Sequence, residues 1–285
     1  MAKYSIYTDL GLKKGTDTIF SDLYDEIVAD GNFTFEYLQT KEENKKLQKT
    51  EEIIYIIWNL PYYITCPNAT EACKIACYAG TPENNFMGKN TKPYRYRNLA
   101  ECTGDNADTF VDRMIKTIEH KLASNAYKGK KVRVRIHESG DFFNKEYAEM
   151  WLQIAMHFID NKDVVFMAYT KSFAFFDGVE LPENFVIRAS VWQDTKEKDL
   201  ETIKRNNWPL YMAIPASLAE YAKAHGYITC DCENCSTCKD HCFTRNNKLM
   251  YVVLHGADAK KLESDSARVK QIIDMFSTKE EKRVA

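Results

Sequence analysis

The sequence predicts an α/β fold: a partial (β/α) barrel of about five or six mainly parallel strands, with cysteine-rich metal-binding loops. Three observations predict it. Short apolar runs alternate with amphipathic segments of helical period, the signature of a parallel sheet with right-handed crossovers. The polar clusters with chemical potential fall where strands end, which is where barrels and open α/β sheets place their chemistry. Eight of the nine cysteines fall into two groups, more than packing needs. Five or six strands suit an open or partial barrel, because a full eight-stranded one typically needs ~250 residues.

Residues 1–50 read as a polar N-terminal extension, with a short helix over Ile19–Ala29 and a solvated helix or linker over Glu42–Glu52. Residues 51–256 read as the barrel-like domain, and 257–285 as a C-terminal helix and tail. Ile53–Trp58 (IIYIIW) is too short for a membrane span and suits a buried parallel strand. It runs into a loop carrying Cys66, Cys73 and Cys77. Gly80–Thr91 has the turn chemistry of a loop. Pro93–Leu99 alternates aromatic and basic residues, which suits a stacked base, a phosphate or an amphipathic surface segment.

Asp105–Ser124 is expected to be a helix, with Phe110, Met114, Ile118 and Leu122 recurring every four residues. Lys131–His137 is the next strand. It overlaps the basic run Lys128–Arg135, whose alternation implies a strand with half its charges outside. Helix Lys145–Ile159 follows, with Asn144 as its N-cap. Strands Val164–Tyr169, Phe185–Ala189 and Leu210–Ile214 alternate with helices Lys196–Asn206 and Ser217–His225. Lys248–Leu254 is the last strand and Asp258–Phe276 the last helix.

The chain has 285 residues, 45% of them hydrophobic, and a net charge of −2. That balance argues against a protein held on nucleic acid mainly by a basic surface. No stretch approaches the ~20 apolar residues of a membrane span. Nine cysteines without a signal peptide imply a cytoplasmic protein, away from membranes, whose clustered thiols bind metal rather than form disulfides.

Cys66, Cys73 and Cys77 are the candidate ligands of an iron–sulfur cluster with one iron left open, because a cubane needs four ligands. Tyr78, directly after the third, is a candidate cofactor contact. In the second group, Cys232, Cys235, Cys238 and Cys242 have the C-x2-C-x2-C-x3-C spacing of bacterial ferredoxins, with Phe243 where proline usually stands and Cys230 as a spare ligand. This group suits a closed 4Fe–4S cluster or a zinc knuckle. One or two clusters, or one shared by both loops, remain open. Cys102 reads as a small buried residue.

His137-Glu138-Ser139-Gly140-Asp141 ends a strand. Glu138 and Asp141 offer carboxylates for an amine, a ribose or a proton. Gly140 permits close backbone approach. His137 is a candidate base or ligand, against the plainer reading of a hydrogen-bonded structural histidine. Lys171, at the next strand end, is a candidate partner for a phosphate or carboxylate, against a snorkelling surface lysine. Asp194 is a weaker analogue one strand further on.

The series Asn59-Leu60-Pro61, Thr65-Cys66-Pro67, Cys73-x3-Cys77-Tyr78-Ala79, Tyr96-x-Asn98-Leu99, His137-Glu138-Ser139-Gly140-Asp141-Phe142 and Tyr169-Thr170-Lys171 resembles the phage "gene product 88" family over roughly residues 53–255. The family in turn resembles the radical S-adenosylmethionine barrels, which carry C-x3-C-x2-C after the first strand; here the spacing is C-x6-C-x3-C. They also carry a Gly-Gly-Glu-like segment after the second strand, to which Ser139, Gly140 and Asp141 correspond. The resemblance implies an iron–sulfur barrel enzyme in the host cytoplasm, using S-adenosylmethionine on a nucleotide or nucleic acid. Two alternatives stand beside it. One is a zinc-containing, guanine transglycosylase-like enzyme modifying nucleic acid, which His137–Phe142 and Cys230–Cys235 resemble. The other is a non-enzymatic, zinc-stabilised protein that binds nucleic acid or takes part in replication.

Overall fold

Alternation within the strands decides the architecture. In β2 (Lys131–Ile136), Val132, Val134 and Ile136 point to one face and Arg133 and Arg135 to the other. The same two-residue period runs through β1 (Ile53–Trp58), β3 (Val164–Thr170), β4 (Phe185–Val191) and β5 (Leu210–Ile214). One face of the sheet is therefore apolar, apart from Thr170 at the end of β3. The other mixes apolar residues with Arg133, Arg135, Arg188, Tyr169 and Tyr211.

In this computed structural model, residues 29, 36–43, 47, 49–80, 88–230, 241–245, 249–254 and 265–277 are described. Seven strands form one sheet in the order β1-β2-β3-β4-β5-β7-β6, where β6 is Ile228–Thr229 and β7 is Leu249–Val253. Every strand pairing in the sheet is parallel. The sheet curls into a half-barrel. Backbone bonds in an antiparallel bridge between Lys41 and Ile57 lie along the β1 edge.

The strand count exceeds the expected five or six by the two-residue β6. It is too short to leave a hydrophobic period in the sequence, and it pairs with β7 outside β5. Glu42–Glu52 shows no helix at its described residues; Leu47 is buried against Tyr55 and Ile57.

Among the described residues the α-helices pack on the apolar face, except the first, which lies in the loop after β1. They are α1 (Glu71–Ile75), α2 (Gly88–Glu101), α3 (Ala107–Ala123), α4 (Lys145–His157), α5 (Glu197–Arg205), α6 (Ala219–Ala224) and α7 (Ser266–Phe276). Phe110, Met114 and Ile118 of α3 are fully buried, each stabilising the fold by about 1.5–3 kcal/mol. They meet an aromatic cluster of Trp58, Tyr147 and Trp151, in which the Trp58 indole N–H donates to the Tyr147 hydroxyl at 2.9 Å. Leu38 and, in α7, Val269, Ile272 and Ile273 join the same core. The aromatic–basic run Tyr94–Arg97 is not an exposed stacking surface. It lies in α2, where Arg95 and Tyr96 are buried and Arg95 donates to the Ala79 carbonyl at 3.0 Å. Among the described residues no helix is long and apolar enough to cross a membrane.

Candidate functional site

The loop after β1 is laced to the ends of three other strands. Asn59 Oδ1 accepts the backbone N–H groups of Glu138 and Ser139 at 2.8 and 3.1 Å, and its amide donates to Glu138 Oε2 at 3.1 Å. The N–H of Asp141 donates to the Thr65 carbonyl at 3.2 Å, which ties the same loop to the β2 end. Asn68 Nδ2 donates to Ser172 Oγ beyond β3 at 3.1 Å. Beyond β4, Asp194 Oδ2 accepts the Ala72 N–H at 2.8 Å at the start of α1, while Thr70 caps that short helix. Asn98 of α2 donates to the Asn59 carbonyl at 2.9 Å.

This scaffold places the loop of Cys66, Cys73 and Cys77 at the C-terminal mouth of the half-barrel. Burial pushes the Cys66 thiol well up, and nearby Asp141, Cys73 and Cys77 add to it. Burial also raises Cys77, with Cys73 the next cause and Lys171 opposing. The three thiols thus lie within electrostatic reach of one another and of Asp141 and Lys171. Among the described residues, no three His, Cys, Asp or Glu side chains are gathered so as to hold a metal ion.

The strand-end segment after β2 divides. Glu138 faces the mouth, and the exposed Tyr78 spans toward it, its hydroxyl donating to the Glu138 carbonyl. His137 turns the other way. It is buried in the aromatic core, edge-on to Phe142, with Nε2 3.0 Å from the Tyr147 hydroxyl. Burial, aided by Arg135, lowers its pKa to about 3, so it stays neutral and structural. Its backbone φ of 63° carries the chain around this corner.

Gly140 has φ +86°, and a Cβ there would lie 2.6 Å from Thr65 Oγ1 and 2.7 Å from Leu60 Cβ. The close approach that needs glycine is thus made by the cysteine loop, and no room for a cofactor follows from it. Ser139 is buried beside it. Asp141 is equally engaged. Oδ1 accepts from the Thr170 hydroxyl and the Phe142 N–H, and Oδ2 from the Lys171 N–H at 2.9 Å. Burial raises its carboxyl above the usual range, and these hydrogen bonds oppose the rise. It buttresses the mouth rather than facing a ligand. Lys171 does face it: Nζ donates to Ser190 Oγ at 2.8 Å and lies 5.5 Å over the Trp192 ring.

Across the concave face stand Cys230 and Cys242. Cys242 is buried, accepts the Tyr169 hydroxyl at 2.9 Å and is held down to about 6, first by a hydrogen bond with Cys230 and then by Tyr169, against burial. The Arg188 guanidinium fixes this segment through the Cys242 and Thr244 carbonyls at 2.8 and 2.9 Å. Tyr211 is pushed up by burial and then by Cys230, Cys242 and Tyr78. Cys232, Cys235 and Cys238 lie outside the described residues. Cys102 is buried, as expected.

Arg135, Tyr169 and Asn59 are site residues to which sequence reasoning gives no role of their own. A signal exists for the first. Parallel strands are normally apolar on both faces, so alternating arginines in β2 mark a face that none of the described α-helices covers.

Residues 36–272 match the family model described as "Gene product 88". Over 113 residues the chain is 30% identical to the "Gene 88 protein" of Mycobacterium phage L5, covering 38% of this chain and 43% of that one. It is 29% identical to the "Gene 88 protein" of Mycobacterium phage D29 over a like stretch, 38% of this chain and 42% of the relative. These matches thus span less than half the length of either relative. No solved structure matches the chain.

Proposed function

The chain belongs to the gene product 88 family, and from that premise and the geometry of the mouth we propose that it is an iron–sulfur-binding half-barrel enzyme. The observation that carries the reading is the convergence of Cys66, Cys73 and Cys77 on one laced loop, beside Lys171 at the next rim. Thiols raised by burial are held protonated, and a bound metal group replaces those protons. A single zinc ion would draw its ligand sulfurs to ~2.3 Å from one centre. A cubane spreads them over separate irons and tolerates a wider triangle, which suits three thiols that are neighbours without being gathered on one point.

Cys66, Cys73 and Cys77 would hold the cluster. When bound, it supplies an iron without a protein ligand, able to polarise a substrate group or exchange an electron. The chain's own residues supply the rest: Lys171 offers a positive charge at the rim, Glu138 an acceptor, and Asp141 sets the Thr170–Lys171 backbone beneath them. Ser139 and Gly140 do not fit a role in holding S-adenosylmethionine, because the cysteine loop fills the space against them.

The test is iron, zinc and acid-labile sulfide content with an absorption spectrum, after anaerobic purification, on the wild type and on Cys66→Ala/Cys73→Ala/Cys77→Ala. A brown protein that loses one cluster's worth of iron and sulfide in the variant supports the reading. A colourless wild-type protein with stoichiometric zinc, unchanged by the triple substitution, overturns it and favours the zinc-stabilised alternatives.

A further inference from the structure

Three arginines line the concave face, and two of them are committed to the protein. Arg133 Nη1 donates to the Val132 and Asp163 carbonyls, at 3.3 and 3.1 Å. Arg188, wholly buried, donates to the Cys242 and Thr244 carbonyls. Arg135 differs. It stands one residue before the end of β2, half-buried, with its guanidinium 4.3 Å over the Tyr169 ring. Its Nε approaches the His137 carbonyl at 3.4 Å. Among the described residues its two terminal nitrogens make no hydrogen bond to protein and it forms no ion pair.

The surroundings fix that fork in place. The Tyr169 ring supports the guanidinium at 4.3 Å and restrains it. Tyr169 is itself held, by the Tyr211 ring at 4.4 Å and by its hydroxyl on Cys242 Sγ. The side-chain entropy of Arg135 is therefore lost before any ligand arrives, which favours tight geometry in the bound state. Tyr78 and Glu138 stand within electrostatic range on the rim, and Lys171 presents a second cation from the end of β3. A half-buried, planar, oriented fork with both outward N–H groups unused is the arrangement that recognises an oxyanion through two hydrogen bonds.

Resting on the reading of this mouth as the site, we infer that Arg135 anchors the terminal oxyanion of a small substrate, a phosphate monoester or a carboxylate, with Lys171 as the second positive contact. The size follows from the recess. A polymer backbone needs a stripe of cations on an open surface, whereas here one fork sits inside a curled sheet, in a chain whose net charge is −2.

Isothermal titration calorimetry with inorganic phosphate, acetate, adenosine 5′-monophosphate and adenosine tests this on wild type, Arg135→Lys, Arg135→Gln and Lys171→Gln. Saturable binding of phosphate or acetate by the wild type is expected, and which of the two binds more tightly tells phosphate ester from carboxylate. Arg135→Lys keeps the charge and loses the fork, and is expected to weaken binding ~10-fold or more. Lys171→Gln should weaken it less. If phosphate is the anion, the monophosphate binds and adenosine does not. Arg135→Lys, the milder change, decides the matter if Arg135→Gln fails to fold. Wild-type affinity in a folded Arg135→Lys variant, or no saturable anion binding by the wild type, overturns the inference. So does salt-sensitive binding of a single-stranded oligonucleotide without binding of phosphate or acetate. Heat reports the anion and not the metal, so a colourless protein that binds the anion through Arg135 removes the cluster and keeps the anchor.

Discussion

The Thr170 hydroxyl donates to Asp141 Oδ1 at 2.6 Å, so the end of β3 hangs on a carboxylate that leaves the end of β2. The same carboxylate receives the Phe142 and Lys171 N–H groups. Asp141→Ala leaves two buried donors and a half-buried one without an acceptor, and each buried unsatisfied group costs about 1–3 kcal/mol. A loss of at least ~3 kcal/mol in urea unfolding is expected. A loss under about 1 kcal/mol would show that these donors find water instead.

His137 sets an acid limit on stability. Its folded pKa of about 3 lies below its unfolded value of 6.5, so the stability tied to its neutrality is full above pH 6.5. It is lost as pH falls from there toward 3, by about 1.4 kcal/mol per pH unit. Wild type should lose ~2 kcal/mol between pH 6.5 and 5 from this group. His137→Asn stays neutral and tolerates the left-handed backbone, so its unfolding free energy should change less over that interval. Equal slopes would remove His137 from the acid response.

Gly140→Ala should be severe for so small a change. The new Cβ meets Thr65 Oγ1 at 2.6 Å and Leu60 Cβ at 2.7 Å, at a φ of +86° that an L-residue resists. A cost of about 2–4 kcal/mol is expected, combining backbone strain with overpacking. Because the clash is with the cysteine loop, cysteine alkylation at 66–77 should also quicken in the folded protein. An unchanged melting temperature would contradict the packing described.

Asp194→Ala tests whether the loop is held from beyond β4. The exposed carboxylate accepts the Ala72 N–H at 2.8 Å, and losing such a helix-start acceptor costs about 1 kcal/mol. Hydrogen exchange should accelerate at Ala72 and Cys73 while the amides of β1–β5 stay protected. Uniform acceleration across the sheet would mean that the contact serves global stability instead.

Legibility in the sequence follows how locally each element is determined. β1 and β5 are readable to the residue, because each apolar run is bounded abruptly, by Asn59 and by Pro215. α3 and α4 announce themselves by period. α2 does not. Gly88, Asn90 and Pro93 argue for loop, and burial of Tyr96, Leu99 and Ala100 against the core overrides that local chemistry. At the site, the convergence of strand ends is legible because parallel topology forces it. The direction each side chain takes is not. His137 and Glu138 are neighbours in sequence, yet one enters the core and the other the mouth, a choice made by the positive φ at His137 and by Asn59, 79 residues away from Glu138.

The uneven faces of the sheet also bear on its shape. Arg133, Arg135 and Arg188 share the side that carries none of the described α-helices. A second helical layer laid there would strand three guanidinium groups in a dry interface, a penalty that few arrangements of carbonyls offset. Curling narrows that side without sealing it, so that loop carbonyls cover some of the charges and solvent reaches the rest. The half-barrel then reads as a sheet whose second side is dry around Tyr55, Ile57, Met167 and Val186 and charged only where its arginines reach loop carbonyls or the mouth, and its curvature as the geometry by which a single layer of α-helices suffices.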